Sequence, residues 1–170
     1  MRAGFFKRVA VAVGAFAAVV SFAAPASAAT SYAADECTSS GNAYCFVIHY
    51  NSRSATSNYS ASSCFVANRS IPDYYGYSPN GAILVRFVFD YGLISGNYNT
   101  CRLGNSGEGL EVKNNAASAS NGECVASYRV YYSSGYQGVN QTFSPTCGDY
   151  WPSENLSATL KNENASAKRL

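Results

Sequence analysis

Apolar and polar residues alternate most cleanly in two stretches. From Tyr44 to Tyr50, the residues Tyr44, Phe46, Ile48 and Tyr50 fall on one side and Cys45, Val47 and His49 on the other. From Cys124 to Tyr132, Ala126, Tyr128, Val130 and Tyr132 alternate with Val125, Ser127, Arg129 and Tyr131. A period of two built from aromatic and β-branched residues predicts strands. Ala82 to Phe89 (AILVRFVF) is continuously apolar but for Arg86 and predicts a buried strand. Leu110–Lys113 and Gln141–Phe143 predict short strands. Leu156–Lys161 predicts another, with Leu156, Ala158 and Leu160 opposite Ser157, Thr159 and Lys161. Turn signals separate these runs at Pro72-Asp73, Ser78-Pro79-Asn80-Gly81 and Ser133-Ser134-Gly135, and Gly92 to Gly109 and Ser144 to Pro152 read as loops. No window of helical length carries a 3.6-residue period, so the pattern predicts an all-β fold. Residues 53 to 77 are polar and aromatic and are assigned to no element.

The N-terminus follows a different rule. Arg2, Lys7 and Arg8 precede an uncharged apolar stretch from Val9 to Phe22, and Ala26-Ser27-Ala28 is a small-residue cleavage signal. Residues 1–28 are therefore expected to be a secretory signal peptide, residues 29–43 a mobile leader, and 44–170 one domain. The chain has 12 Lys+Arg and 10 Asp+Glu, a formal charge of +2. Three of those cations lie in the signal, so the exported chain would hold 9 against 10. No basic patch remains to suggest nucleic acid or a membrane surface after cleavage. A secreted, extracellular monomer is expected.

Six cysteines, at 37, 45, 64, 101, 124 and 147, all follow the signal. An even count in an exported chain reads as disulfides. Six cysteines allow fifteen pairings. Closing each local segment would give Cys37–Cys45, Cys64–Cys101 and Cys124–Cys147.

One phrase is written twice. Val112-Lys113-Asn114-Asn115-Ala116-Ala117-Ser118-Ala119 returns 48 residues later (160 − 112) as Leu160-Lys161-Asn162-Glu163-Asn164-Ala165-Ser166-Ala167. The Asn and Ser content is turn chemistry, because Asn tolerates left-handed backbone and both side chains bond nearby main chain. Upstream, Ile48-His49-Tyr50-Asn51-Ser52 aligns with Val130-Tyr131-Tyr132-Ser133-Ser134. Two units, 44–121 and 124–170, each opening on an aromatic strand and ending on the phrase, predict a pseudo-symmetric β-sandwich.

Val130 to Gly138, with the later Asn164-Ala165-Ser166, resembles the βγ-crystallin group. The signal, the early Cys37 and Cys45, His49 to Ser52, Val112 to Ser118, Tyr131 to Gly138 and Asn162 to Ser166 resemble the secreted Streptomyces metalloproteinase inhibitor family and its actinobacterial relatives. The resemblance implies a disulfide-stapled Greek-key β-sandwich of two crystallin-type motifs. It also implies a non-catalytic peptidase inhibitor whose partner is an extracellular protease. Calcium-binding members carry Asn/Asp-Asn/Asp-x-x-Ser/Thr-Ser in each unit, which maps to Asn114, Asn115 and Ser118, and to Asn162, Glu163 and Ser166. Calcium prefers six to eight oxygens, many of them carboxylate. With Glu163 as the one carboxylate, any site would be weak, on the order of 10⁻⁴–10⁻³ M, and a structural turn is the competing reading. No other cofactor is expected.

Enzyme chemistry finds little support. His49 is the only His, no Gly-x-Ser-x-Gly elbow exists, and bridged cysteines leave no thiolate. For inhibition, Phe65 is a candidate loop residue, because it is bulky, apolar and next to Cys64; a buried strand is its alternative. A cell-wall or carbohydrate-binding module is the competing function, since fourteen Tyr and Trp151 could supply aromatic faces.

Overall fold

The structure, a computed structural model, describes residues 29–38, 44–92, 101, 103–147 and 152–170. The expected signal segment 1–28 and Trp151 lie outside them. The strands are β1 (Ala29–Ala33), β2 (Asp35–Glu36), β3 (Phe46–His49), β4 (Cys64–Ala67), β5 (Gly76–Tyr77), β6 (Ile83–Phe87), β7 (Ser118–Asn121), β8 (Tyr128–Ser133), β9 (Gln137–Phe143), β10 (Glu154–Asn155) and β11 (Ser166–Arg169). They form three sheets, ordered β10-β7-β3-β4-β2, β11-β8-β9 and β1-β6-β5. The fold is all-β, with no α-helix among the described residues.

The two phrases face each other. Asn114 N–H donates to the Asn164 carbonyl and Asn162 N–H donates to the Ala116 carbonyl, each at 2.8 Å. Because 114 corresponds to 162 and 116 to 164, these bonds are one contact made twice. The same holds further out. Ala117 N–H donates to His49 O and Ala165 N–H to Tyr131 O, both at 2.9 Å. Ser118 Oγ donates to Asn51 O and Ser166 Oγ to Ser133 O, both at 2.7 Å. The 48-residue offset in sequence is therefore an offset between equivalent positions in space.

Each unit also lends a segment to the other. Ile71, from the first unit, exchanges backbone bonds of 2.7 and 2.9 Å with Ala167 in β11, and Tyr74 N–H donates to Ala165 O. In return β10 pairs antiparallel with β7, Glu154 opposite Ala119, and Leu156 N–H donates to Ala117 O. One core seals the exchange: Phe46 stacks on Tyr128 with ring centroids 4.4 Å apart, and Ile48, Val130, Val112 and Leu160 are buried in the same cluster.

Strand β3 is buried on both faces. Phe46 and Ile48 enter that core, while Val47 points to a second cluster made of Val66, Cys37, Cys45, Cys64 and Cys101. Among the described residues no further sheet covers this second face; two disulfides lie on it. The bridges are Cys37–Cys45, Cys64–Cys101 and Cys124–Cys147, each closing a local segment.

Several expectations change. Residues 29–36 of the expected mobile leader form strands: β1 runs parallel to β6 and β2 parallel to β4. The small residues Ala29, Thr30 and Ser31 make this possible, since pairing here needs main chain rather than bulk. The segment 82–89 is only half-buried, because its three-stranded sheet packs one face inward; Phe87 and Phe89 are buried and Ile83 is exposed. Leu156–Lys161 is a turn, with Leu160 and Lys161 N–H both donating to Ser157 O. Leu156 and Leu160 are both buried by that turn, so the alternation mimicked a strand. The repeated phrase does not close each unit either: its Ser-Ala opens β7 and β11, the last strand of each.

Candidate functional site

At the phrase junction the backbone dictates the side chains. Asn114 and Asn162 both adopt φ 60°, a left-handed conformation that Asn tolerates better than most residues. Asn164 is fully buried. Its Oδ1 accepts from Ala116 N–H at 2.8 Å and its Nδ2 donates to Val112 O at 2.9 Å. Asn115 Nδ2 donates to the carbonyls of Glu111 and Lys113. Ser166 Oγ accepts from Tyr136 N–H while donating to Ser133 O. Lys113 Nζ lies against the first phrase, bonding Asp73 and, at 2.9 Å, Ser134 Oγ. Burial opposes ionisation of Asp73, but the Tyr75 N–H, the Lys113 ammonium and the Ser134 hydroxyl outweigh it and hold its carboxyl below the usual range.

These groups fit calcium poorly. The structure brings the two sets, Asn114, Asn115 and Ser118 with Asn162, Glu163 and Ser166, close together across the junction. However, the Ser118 and Ser166 hydroxyls are held on main-chain carbonyls, Asn115 is tied through its Nδ2 with only Oδ1 left to offer, and Glu163 is an exposed lone acid. The open space beside the second phrase is lined by Tyr50, Asn51 and Asn162 together with Lys161, whose ammonium repels a cation. No cluster of three acid, His or Cys side chains exists among the described residues.

Phe65 does not lie on a loop. It sits in β4 between β3 and β2, is 1 % exposed, and packs against Tyr74 and Phe87 at ring-centroid distances of 5.9 and 5.0 Å. Alternation decided this: Cys64 and Val66 face the disulfide cluster, so Phe65 faces the core. It is a core residue and not an inhibitory one.

The same disulfide reaches a loop that is exposed. Cys101, bridged to Cys64, precedes the segment 103–110, where Leu103 and Leu110 are 51 % and 46 % exposed. Main-chain bonds pin this loop: Ser63 N–H donates to Ser106 O at 3.0 Å, Gly109 N–H to Phe89 O and Phe89 N–H to Leu110 O, both at 2.9 Å. Gly107 turns at φ 87° directly against the Tyr50 ring, where no side chain would fit. Sequence showed the glycines but not which apolar residues they leave outside.

His49 gathers serines that are distant in sequence. Its Nε2 lies 3.1 Å from Ser120 Oγ and 3.5 Å from Ser153 Oγ, and those two hydroxyls are 3.1 Å apart. Ser60 N–H also donates to Ser153 Oγ. Burial lowers the His49 pKa to about 4, so the ring is neutral at pH 7. Its buried Nδ1 meets no partner. A bare acceptor is cheaper to bury than a bare N–H, which favours the tautomer donating from Nε2 to Ser120. In that state the imidazole takes no proton from serine, no acid orients it, and both hydroxyls are buried. The arrangement is a buried polar cluster, closed to solvent and with His49 Nδ1 unpartnered.

Among the described residues no helix is long and apolar enough to cross a membrane. Comparisons with protein-family models, with curated proteins and with solved structures found no match.

Proposed function

We propose that this protein is a secreted, non-catalytic inhibitor of extracellular metalloproteases, built as two crystallin-type Greek-key motifs. Three disulfides are compatible with an extracellular setting. The mutual loan of segments 71–74 and 154–156 supports the Greek-key reading, because a segment that precedes each unit's last strand then joins the other unit's sheet. The inhibitory function is carried by one observation: the 103–110 loop presents Leu103 and Leu110 to solvent while Cys64–Cys101 and the bonds to Ser63 and Phe89 hold its main chain. A loop already fixed loses little entropy on docking. Thermolysin-like enzymes prefer a bulky apolar residue after the cleaved bond, and an exposed leucine beside a bridged cysteine meets that need.

The test is inhibition of a thermolysin-like metalloprotease and a serine protease by the oxidised protein. Wild type should inhibit the metalloprotease, Leu103→Ala should weaken inhibition about tenfold or more, and Leu103→Met should retain it. Equal inhibition by wild type and by both Leu103→Ala and Leu110→Ala would remove the loop from the interface.

A carbohydrate-binding reading rests on a different face. Across the β1-β6-β5 sheet, Tyr32 stands opposite Arg86, and the Arg86 guanidinium lies 3.4 Å from the Tyr75 ring centroid. Tyr32 is 71 % exposed. Aromatic rings of this kind can stack on sugars. Retention on chitin, cellulose or peptidoglycan that is lost in Tyr32→Ala would favour this reading.

A further inference from the structure

We propose that the cleft beside Arg53 binds a small hydroxylated carboxylate, of the size of one hexuronate. The described residues include five arginines. Four have their guanidinium engaged: Arg69 on Glu36, Arg86 on Glu111, Arg129 on Thr142 and Arg169 on Glu123. Arg53 has no such partner, and its Nε is buried without an acceptor. Yet its position is fixed, because Asn155 clamps its main chain, accepting from Arg53 N–H at 2.7 Å and donating to Arg53 O at 3.1 Å. The side chain lines a cleft of about 370 Å³, at the small end of ligand pockets.

The rest of the lining decides the ligand class. Thr142 and Ser144 supply hydroxyls, and Glu154 supplies a carboxylate. A bare oxyanion would use Arg53 but would meet Glu154 as a like charge. A ligand bearing one carboxylate and several hydroxyls uses both ends: its carboxylate forks onto the guanidinium, and its hydroxyls donate to Glu154 and exchange bonds with the Ser and Thr side chains. An uncharged sugar offers the guanidinium only neutral hydroxyl oxygens and not the charged, two-oxygen acceptor that matches its fork. This site is separate from the 103–110 loop and does not depend on the inhibitor reading.

The test is an NMR titration of the oxidised protein, following Arg53 Nε and the Thr142 and Ser144 amides. D-glucuronate at millimolar concentration should shift all three, and D-glucose should not. Arg53→Gln should weaken glucuronate binding about tenfold or more while leaving the melting temperature unchanged. Arg53→Lys, which keeps the charge but not the fork, should bind at intermediate strength. Absence of a glucuronate shift in wild type, an equal affinity for inorganic sulfate, or undiminished binding to a folded Arg53→Gln would each overturn the proposal.

Discussion

Removing the Asn164 amide would strip two bonds at once from the junction between the phrases, leaving Ala116 N–H buried without a partner and Val112 O with only the Asn115 N–H at 3.3 Å. Asn164→Ala should therefore cost about 2–4 kcal/mol in denaturant unfolding, with an unchanged m-value. The equivalent position in the first unit is Ala116, so the pseudo-symmetry places one working amide at the axis rather than two. His49 contributes at the same scale through pH. Its pKa is about 4 when folded against an unfolded value of 6.5, so the unfolded chain binds the proton more readily. Stability supplied by the neutral ring is present above pH 6.5 and is lost as pH falls through about 4. The loss should approach 3 kcal/mol in order of magnitude, and His49→Asn should flatten that part of the profile. Calcium is a third test. With the phrase hydroxyls bonded to main chain, Glu163 the one carboxylate and Lys161 beside them, millimolar calcium should leave the thermal midpoint unchanged.

Elements show how far alternation can be trusted. Strands β3 and β8 were legible because Phe46 and Ile48, and Tyr128 and Val130, are large, alternate and enter one core, although the irregularity between Tyr131 and Ser133 leaves Tyr132 exposed. The disulfides were legible as local closures. Phe65 was not, because a bulky residue beside a cysteine looks the same on a loop and in a strand until its neighbours' faces are known. Strands β1 and β2 were not legible either, since Ala-Thr-Ser and Asp-Glu pair by main chain and leave no apolar pattern. The Leu156–Leu160 turn shows the converse, an apolar spacing that serves a turn as well as a strand. Of the exposed loop, the glycines could be read, but the exposure of Leu103 depends on Gly107 reaching Tyr50 and on Ser63 holding Ser106, contacts between residues far apart in sequence. The same is true of the cleft, where Arg53, Thr142 and Glu154 meet only after the units exchange segments. At this scale the Cys64–Cys101 bridge should matter most. It closes 37 residues, against 8 and 23 for the others. Its removal as a Cys64→Ala, Cys101→Ala pair should destabilise by about 4 kcal/mol in the loop-entropy account, more than removal of either other bridge, as read by chemical denaturation.

The molecule as a whole consists of two units that cannot complete their sheets alone. Ile71 and Tyr74 serve β11, while Glu154 and Leu156 serve β7, and Phe46 and Tyr128 share one stack. Such an exchange makes folding a property of the whole chain, and it leaves the outer faces and loops free to differ. The proposed inhibitory loop lies in the first unit, with no counterpart among the described residues of the second. Stability thus comes from what the units share, and the proposed inhibitory contact from what they do not. Titration of a thermolysin-like metalloprotease with the folded, oxidised protein tests this most directly. The account predicts saturable inhibition that reaches completion with wild type and is weakened in Leu103→Ala; full protease activity in the presence of excess wild type would contradict it.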